Sequence, residues 1–196
     1  MNAFTNHTGR ALPLERTDVD TDQIIPAQHL KRIERTGFGP FLFESWRKDP
    51  DFILNDPRFE GATILLAGAN FGIGSSREHA VWALEDYGFR AVISPRFADI
   101  FRNNCTKVGL LPVELPAESV RALMDAVLDD PATEITVDLE ARRVSAPSVE
   151  ESFEIDPFTR QRLLEGLDDI GLTLRLEDEI TRYESTRAPW LPASSR

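Results

Sequence analysis

The apolar positions of this chain change period along its length, and the change divides it. Ala62–Ala69 is an apolar stretch bounded by Gly61 and Gly68, which predicts a buried strand. Arg77–Tyr87 carries Ala80, Ala83 and Leu84 at helical spacing and ends at Gly88, a favoured helix terminator, so it predicts a helix. Arg90–Ser94 and Gly109–Leu115 predict two more strands. Phe97–Asn104 and the amphipathic Ala117–Asp129 predict two more helices. Residues 62–129 thus alternate strand and helix, the pattern of a parallel sheet with right-handed crossovers.

Beyond Pro131 the period shortens to two. Glu134–Leu139 and Arg142–Ser145 alternate on either side of Glu140–Ala141, a hairpin signal, and Val149–Ile155 alternates again. Asp156 followed by Pro157 marks a helix start; Phe158–Gly166 and Asp169–Tyr183 predict helices. At the other end, Thr5–Leu14 predicts one strand and Asp18–Gln23 an acidic loop. Gln28–Arg35 predicts one or two helical turns ended by Gly37 and Gly39, Phe41–Lys48 a short helix, and Asp49–Pro57 a surface connection. The fold class expected is α/β, a parallel-rich mixed sheet with flanking helices. Residues 1–155 form the main domain, 156–187 a helical C-terminal appendage, and 188–196 a disordered tail.

Composition narrows the function. In 196 residues, 22 Lys and Arg against 33 Asp and Glu leave a formal charge of −11, a poor match for nucleic acid or an anionic membrane. Polar Met1–Leu14 lacks the form of a signal peptide, and the apolar run of 62–69 is far too short to span a bilayer, so a cytoplasmic location is expected. A single cysteine, Cys105, allows no internal disulfide and cannot hold an iron–sulfur cluster.

The segment Gly68-Ala-Asn-Phe-Gly-Ile-Gly-Ser-Ser-Arg-Glu-His-Ala80 lies between a predicted strand and a predicted helix, where open α/β sheets collect ligands. Gly72 and Gly74 permit tight turns and close approach of a ligand. The helix start offers free N–H groups, Ser75 and Ser76 add hydroxyls, and Arg77 adds a fork suited to a carboxylate. The glycine spacing fits neither a dinucleotide fingerprint, nor a phosphate-binding loop, nor a serine-hydrolase elbow. The bland alternatives are serines that merely cap the helix and an arginine in a buried salt bridge with a glutamate. Asp18, Asp20 and Asp22 alternate like a calcium loop, but Gln23 and His29 stand where glycine and glutamate are required, so calcium is excluded.

Asn70-Phe-Gly-Ile-Gly-Ser-Ser-Arg-Glu-His-Ala80 resembles the signature of the swivelling β/β/α domain of the aconitase superfamily. Asp20-Thr-Asp-Gln-Ile-Ile-Pro26, Arg96-Phe-Ala-Asp-Ile-Phe-Arg-Asn-Asn104 and Gly109-Leu-Leu-Pro112 resemble one branch, the small subunits of 3-isopropylmalate dehydratase (isopropylmalate isomerase). The resemblance implies a hydro-lyase of leucine biosynthesis, active only with a large subunit as a heterodimer or larger assembly. It implies a 4Fe–4S cluster on that partner, none on this chain, and 2-/3-isopropylmalate as substrate. By the same resemblance Ser75 is the catalytic base and Asp22 an active-site aspartate. Ser76 and Arg77 bind the substrate carboxylate beside Gly74, and either Arg32 or Arg35 adds a further contact. Leu30, Ile33 or Phe38 would meet the apolar branch of the substrate. His79 is read as a structural hydrogen-bonder in preference to a proton relay, Cys105 as a partly buried structural residue, and 96–104 as a helix supporting the loop. Homoaconitate and 2-methylmalate/citraconate remain alternative substrates, and a non-catalytic anion-binding module is the alternative to an enzyme.

Overall fold

Strand β1 (Asn6–Leu14) joins two kinds of sheet. Its second half, Ala11–Leu14, pairs in parallel with β2 (Ile64–Ala67), while its first half, Asn6–Arg10, pairs antiparallel with β5 (Glu134–Asp138). On the parallel side follow β3 (Ala91–Ser94) and β4 (Leu111–Glu114). On the antiparallel side follow β6 (Arg143–Ala146) and β7 (Val149–Ser152). The order across the seven strands is β4-β3-β2-β1-β5-β6-β7. This is a computed structural model and describes residues 1–147 and 149–188.

Every residue of β2 and β3 is buried, as a parallel strand covered on both faces requires. Helices α2 (Glu78–Tyr87) and α3 (Asp99–Val108) connect the parallel strands β2, β3 and β4, and α4 (Ala117–Asp129) leads from β4 to β5, lying across β1, β2, β3 and β7. Gly88 and Gly109 end α2 and α3 in the left-handed conformation that glycine adopts without a Cβ clash. Fully buried Ile64, Leu65, Leu66, Val92, Ile93, Leu111, Val81, Leu84 and Leu123 form the centre of the core. Burial of each such large side chain contributes about 1.5–3 kcal/mol.

Several expectations need correction. The acidic segment 18–23 is not all loop: Thr21–Ile24 forms a one-turn helix, α1, closed by reciprocal bonds between Asp20 and Gln23. The turns expected over 28–35 shrink to a 3-10 turn at Ala27–Lys31. Phe41–Lys48 is not a helix. Phe43 takes a left-handed φ of 50°, and its N–H donates to the Ile24 carbonyl at 2.8 Å, so tertiary pairing replaces the helical ladder. Past α5 (Pro157–Glu165), the helix expected over 169–183 is two helices, α6 (Asp169–Leu174) and α7 (Glu177–Thr186). Glu177, Asp178 and Glu179 favour a new helix start, since carboxylates stabilise the positive end of the helix dipole. The tail expected to be disordered falls, from residue 189 on, outside the described residues. Among the described residues no helix is long and apolar enough to cross a membrane.

Candidate active site

The glycine-rich loop leaves the carboxyl end of β2 and is held on both sides. On one side Gly68 N–H donates to the Arg16 carbonyl at 3.0 Å and Asp18 N–H to Ala69 at 2.9 Å. Gly72 and Ile73 N–H both reach the Val19 carbonyl (2.8 and 3.2 Å), and Thr21 N–H reaches Ile73 at 2.9 Å. On the other side Phe71 N–H donates to Arg96 (3.1 Å) and Ala98 N–H to Phe71 (3.0 Å). The sheet pairing therefore continues past the strand ends. Asp18 and Asn70 both adopt left-handed backbones, and the Asn70 amide donates to the Asp18 carboxylate at 2.8 Å, tying the two loops together.

Gly72 is required by its surroundings: φ is +81°, and a Cβ there would lie 2.2 Å from Cγ of Phe101. Phe101, on α3, packs with Phe71 and Phe97 beneath the loop, so the 96–104 segment supports it as expected. Gly74 also needs a positive φ, +95°, although space is available there. Gly74, Ser75 and Ser76 emerge exposed at the surface.

Ser75 and Arg77 converge on α1. The buried Thr21 hydroxyl donates to the Ser75 carbonyl at 3.1 Å and lies 3.4 Å from the Ser75 hydroxyl. The Arg77 guanidinium pairs with the neighbouring Asp22 carboxylate; the two side chains are 20% and 57% exposed. The expected alternative of a buried salt bridge to a glutamate is thereby replaced by a half-open pair to an aspartate. Arg77 itself is the N-cap of α2, and no side chain caps this helix, so neither Ser75 nor Ser76 is used as a cap. Two exposed hydroxyls directly before the uncapped first amides of α2 make an arrangement suited to an anion.

Arg32 and Arg35 lie on the loop beside α2. Arg32 donates to the Gly37 carbonyl at 3.2 Å and lies over Phe38 and Phe41, 5.3 Å from each ring centre. Arg35 lies 5.8 Å over Trp82 and makes no hydrogen bond or salt bridge among the described residues. Of the apolar candidates, Ile33 is 95% exposed, but Phe38 is fully buried, so it belongs to the core and not to a ligand surface. His79 packs between Phe38 and Trp82 (5.3 and 4.6 Å) and forms no side-chain hydrogen bond among the described residues; the reading of it as a hydrogen-bonder gives way to aromatic packing. Burial lowers its pKa below the usual histidine value.

Cys105 is fully buried, not partly, and burial pushes its thiol well above the usual range. Among the described residues no three His, Cys, Asp or Glu side chains gather to hold a metal ion. A cavity of about 570 Å³ opens between α3, β4 and residues 154–159, and no candidate site residue lines it.

Sequence reasoning missed two residues. Thr21 stands inside Asp20-Thr-Asp-Gln23, whose acid-x-x-Gln spacing is a capping-box signal that would have placed it on a helix facing the loop. Buried Ser94, at the end of β3, lies 2.8 Å from the Gly68 carbonyl and 2.9 Å from that of Arg96, bridging the two loop entries. Nothing in the local sequence distinguishes it from an ordinary strand residue.

A family model described as the aconitase C-terminal domain matches residues 1–118, and one described as the C-terminal domain of the 3-isopropylmalate dehydratase small subunit matches 169–194. The 3-isopropylmalate dehydratase small subunit of Parafrankia sp. (strain EAN1pec) is 67% identical over 195 residues, covering 100% of both chains. That of Rubrobacter xylanophilus is 65% identical over 184 residues, covering 94% of each. The crystal structure of 3-isopropylmalate dehydratase (leuD) from Methanocaldococcus jannaschii matches with a TM-score of 0.69 and 26% identity, covering 90% of this chain and 99% of that one.

Proposed function

Because this chain belongs to the family of 3-isopropylmalate dehydratase small subunits, we propose that it supplies the base and the carboxylate-binding groups for isomerising 2-isopropylmalate to 3-isopropylmalate. The observation that carries the reading is the convergence of Ser75 and Arg77 on Thr21 and Asp22 at the carboxyl end of β2. Arg77 and Ser76 bind a substrate carboxylate, with the backbone at Gly74 allowing close approach. Ser75 takes the proton from the carbon next to that carboxylate and returns it after the intermediate is turned. An alcohol is a weak base, so its oxyanion needs donors; the first amides of α2 and Arg77 supply them. Asp22 holds Arg77 in place between turnovers. Arg35, uncommitted to any other polar group among the described residues, is the better placed of the two loop arginines to meet the second carboxylate; Arg32 steadies the loop.

Ser75 and Ser76 are exposed, and an oxyanion base requires a site closed to bulk water. A large partner subunit provides that cover. The lone, buried thiol of Cys105 does not fit an iron–sulfur cluster on this chain; the family resemblance assigns the 4Fe–4S cluster to the partner. Residues 1–155 act as the swivelling unit, and 156–187 as an appendage anchored where Phe4 N–H donates to the Leu163 carbonyl at 2.9 Å. The test is co-expression with the large subunit, followed by assay on 2-isopropylmalate, homoaconitate and citraconate. Turnover of 2-isopropylmalate by the assembled pair, and by neither chain alone, is expected; preference for another acid, or turnover by this chain alone, refutes the assignment.

A further inference from the structure

We propose that Asp86, at the far end of α2 from Ser75, is a positioning residue that fixes the 31–39 loop for substrate. This rests on the reading above that the loop's arginines meet the substrate. Its carboxylate accepts the Phe38 N–H at 2.7 Å. The next residue, Gly39, lies flush against the helix: a Cβ there would sit 2.9 Å from the Asp86 carbonyl oxygen and 3.0 Å from Tyr87 N. Phe38 in turn packs on His79 and Trp82, so His79, Trp82 and Asp86 form one face of the helix at spacings of three and four. Arg35 lies over Trp82, and Arg32 over Phe38.

The loop between its anchors has little else to hold it. Lys31, Ile33, Glu34, Arg35, Thr36 and Gly37 are exposed. The other anchor is His29, which lies 2.7 Å from the Glu44 carboxylate and stacks on Phe41 at 3.9 Å. Helix α2 therefore acts as a ruler: the Ser75–Arg77 loop leaves one end, and the Phe38 amide is pinned near the other, about 13 Å along the axis at 1.5 Å per residue. The placement of Asp86 is itself unusual. An anion in the last turn of a helix opposes the helix dipole, and Glu85 beside it adds a second acid there, its carboxyl pushed up by burial and by Asp86. What the position gains is the charge-assisted bond to the loop.

The experiment compares wild type, Asp86→Asn and Asp86→Ala in the assembled two-subunit enzyme. The amide keeps an acceptor and alanine does not. Asp86→Ala is expected to raise KM for 2-isopropylmalate about tenfold with kcat within about twofold, and Asp86→Asn to restore KM to within about threefold of wild type. Should the alanine variant fail to assemble, Trp82→Leu removes the Arg35 platform and leaves the Asp86 bond, and must itself raise KM. An unchanged KM in either variant overturns the proposal. So does an equal fall in kcat and stability that asparagine does not rescue, which marks a merely structural role. Absence of turnover by the wild-type pair is a different failure, visible before any substitution, and refutes the functional reading on which the proposal stands.

Discussion

Arg77 and Asp22, 55 positions apart in sequence, are ion-paired beside the exposed Ser75 hydroxyl. The pair is open enough to water that it contributes less than about 1 kcal/mol to stability. In the function proposed above, it holds the guanidinium ready for a substrate carboxylate. Asp22→Ala is expected to leave the urea midpoint almost unchanged and to raise KM about tenfold, because an unheld arginine must be ordered on binding. A large loss of stability with no change in KM would show the pair to be architectural.

Ser75→Ala should lower turnover between about a hundredfold and ten-thousandfold, the range for losing a positioned proton-transfer group, while co-purification with the large subunit persists. Arg77→Lys should raise KM by about tenfold or more, since an ammonium cannot form the two parallel bonds of the fork. Activity retained by Ser75→Ala removes that residue from the chemistry.

Gly72→Ala should destabilise the fold by roughly 2–4 kcal/mol, combining a left-handed φ with overpacking against Phe101. Gly74→Ala has a strained backbone but no clash, and should cost less. Equal urea midpoints for the two variants would show that Phe101 moves aside freely.

The Cys105 thiol should react with a disulfide reagent in the native protein only as fast as the structure opens, since burial suppresses both access and the thiolate. Fast labelling at neutral pH without loss of structure would contradict its placement.

His7 has its pKa lowered, first by burial and second by Arg90. The folded state thus prefers the neutral ring. The unfolded chain takes up its proton near the ordinary histidine value of 6.5, so stability from this group is present above that pH and is lost as pH falls below it, until the folded ring also protonates. Glu85, raised by burial, works in the opposite sense above its ordinary value. The test is therefore differential: between pH 7.5 and 5.5 (chosen to bracket the histidine range), the urea midpoint of His7→Asn should shift downward less than that of wild type.

The sheet and its helices were legible because their signals are local and periodic: Ala117–Asp129 was bounded correctly from amphipathic spacing alone. The loop 68–77 was legible because glycine, hydroxyl and guanidinium fall in one run of sequence. The contacts that turn it into a site were not. Thr21 and Ser94 reach it from other parts of the chain, and only tertiary pairing brings them there; Asp22 was named by the resemblance, but not its pairing with Arg77. Phe43 shows the same limit from the other side, since its helix-compatible surroundings gave no sign that its amide would bond to Ile24. Phe38 was misjudged because an aromatic between two glycines in a polar loop carries no mark of burial; its fate was set by His79, Trp82 and Asp86 on α2.

Strand β1 has a consequence for biosynthesis of the chain. Its first half has no neighbour until residues 134–138 exist, and the Thr8 and Thr136 hydroxyls meet across 128 positions at 2.8 Å. The 6–10 segment must therefore wait, with one edge unpaired, until residues 134–138 have left the ribosome. Such distant closure slows folding and exposes the nascent chain to aggregation in the interval.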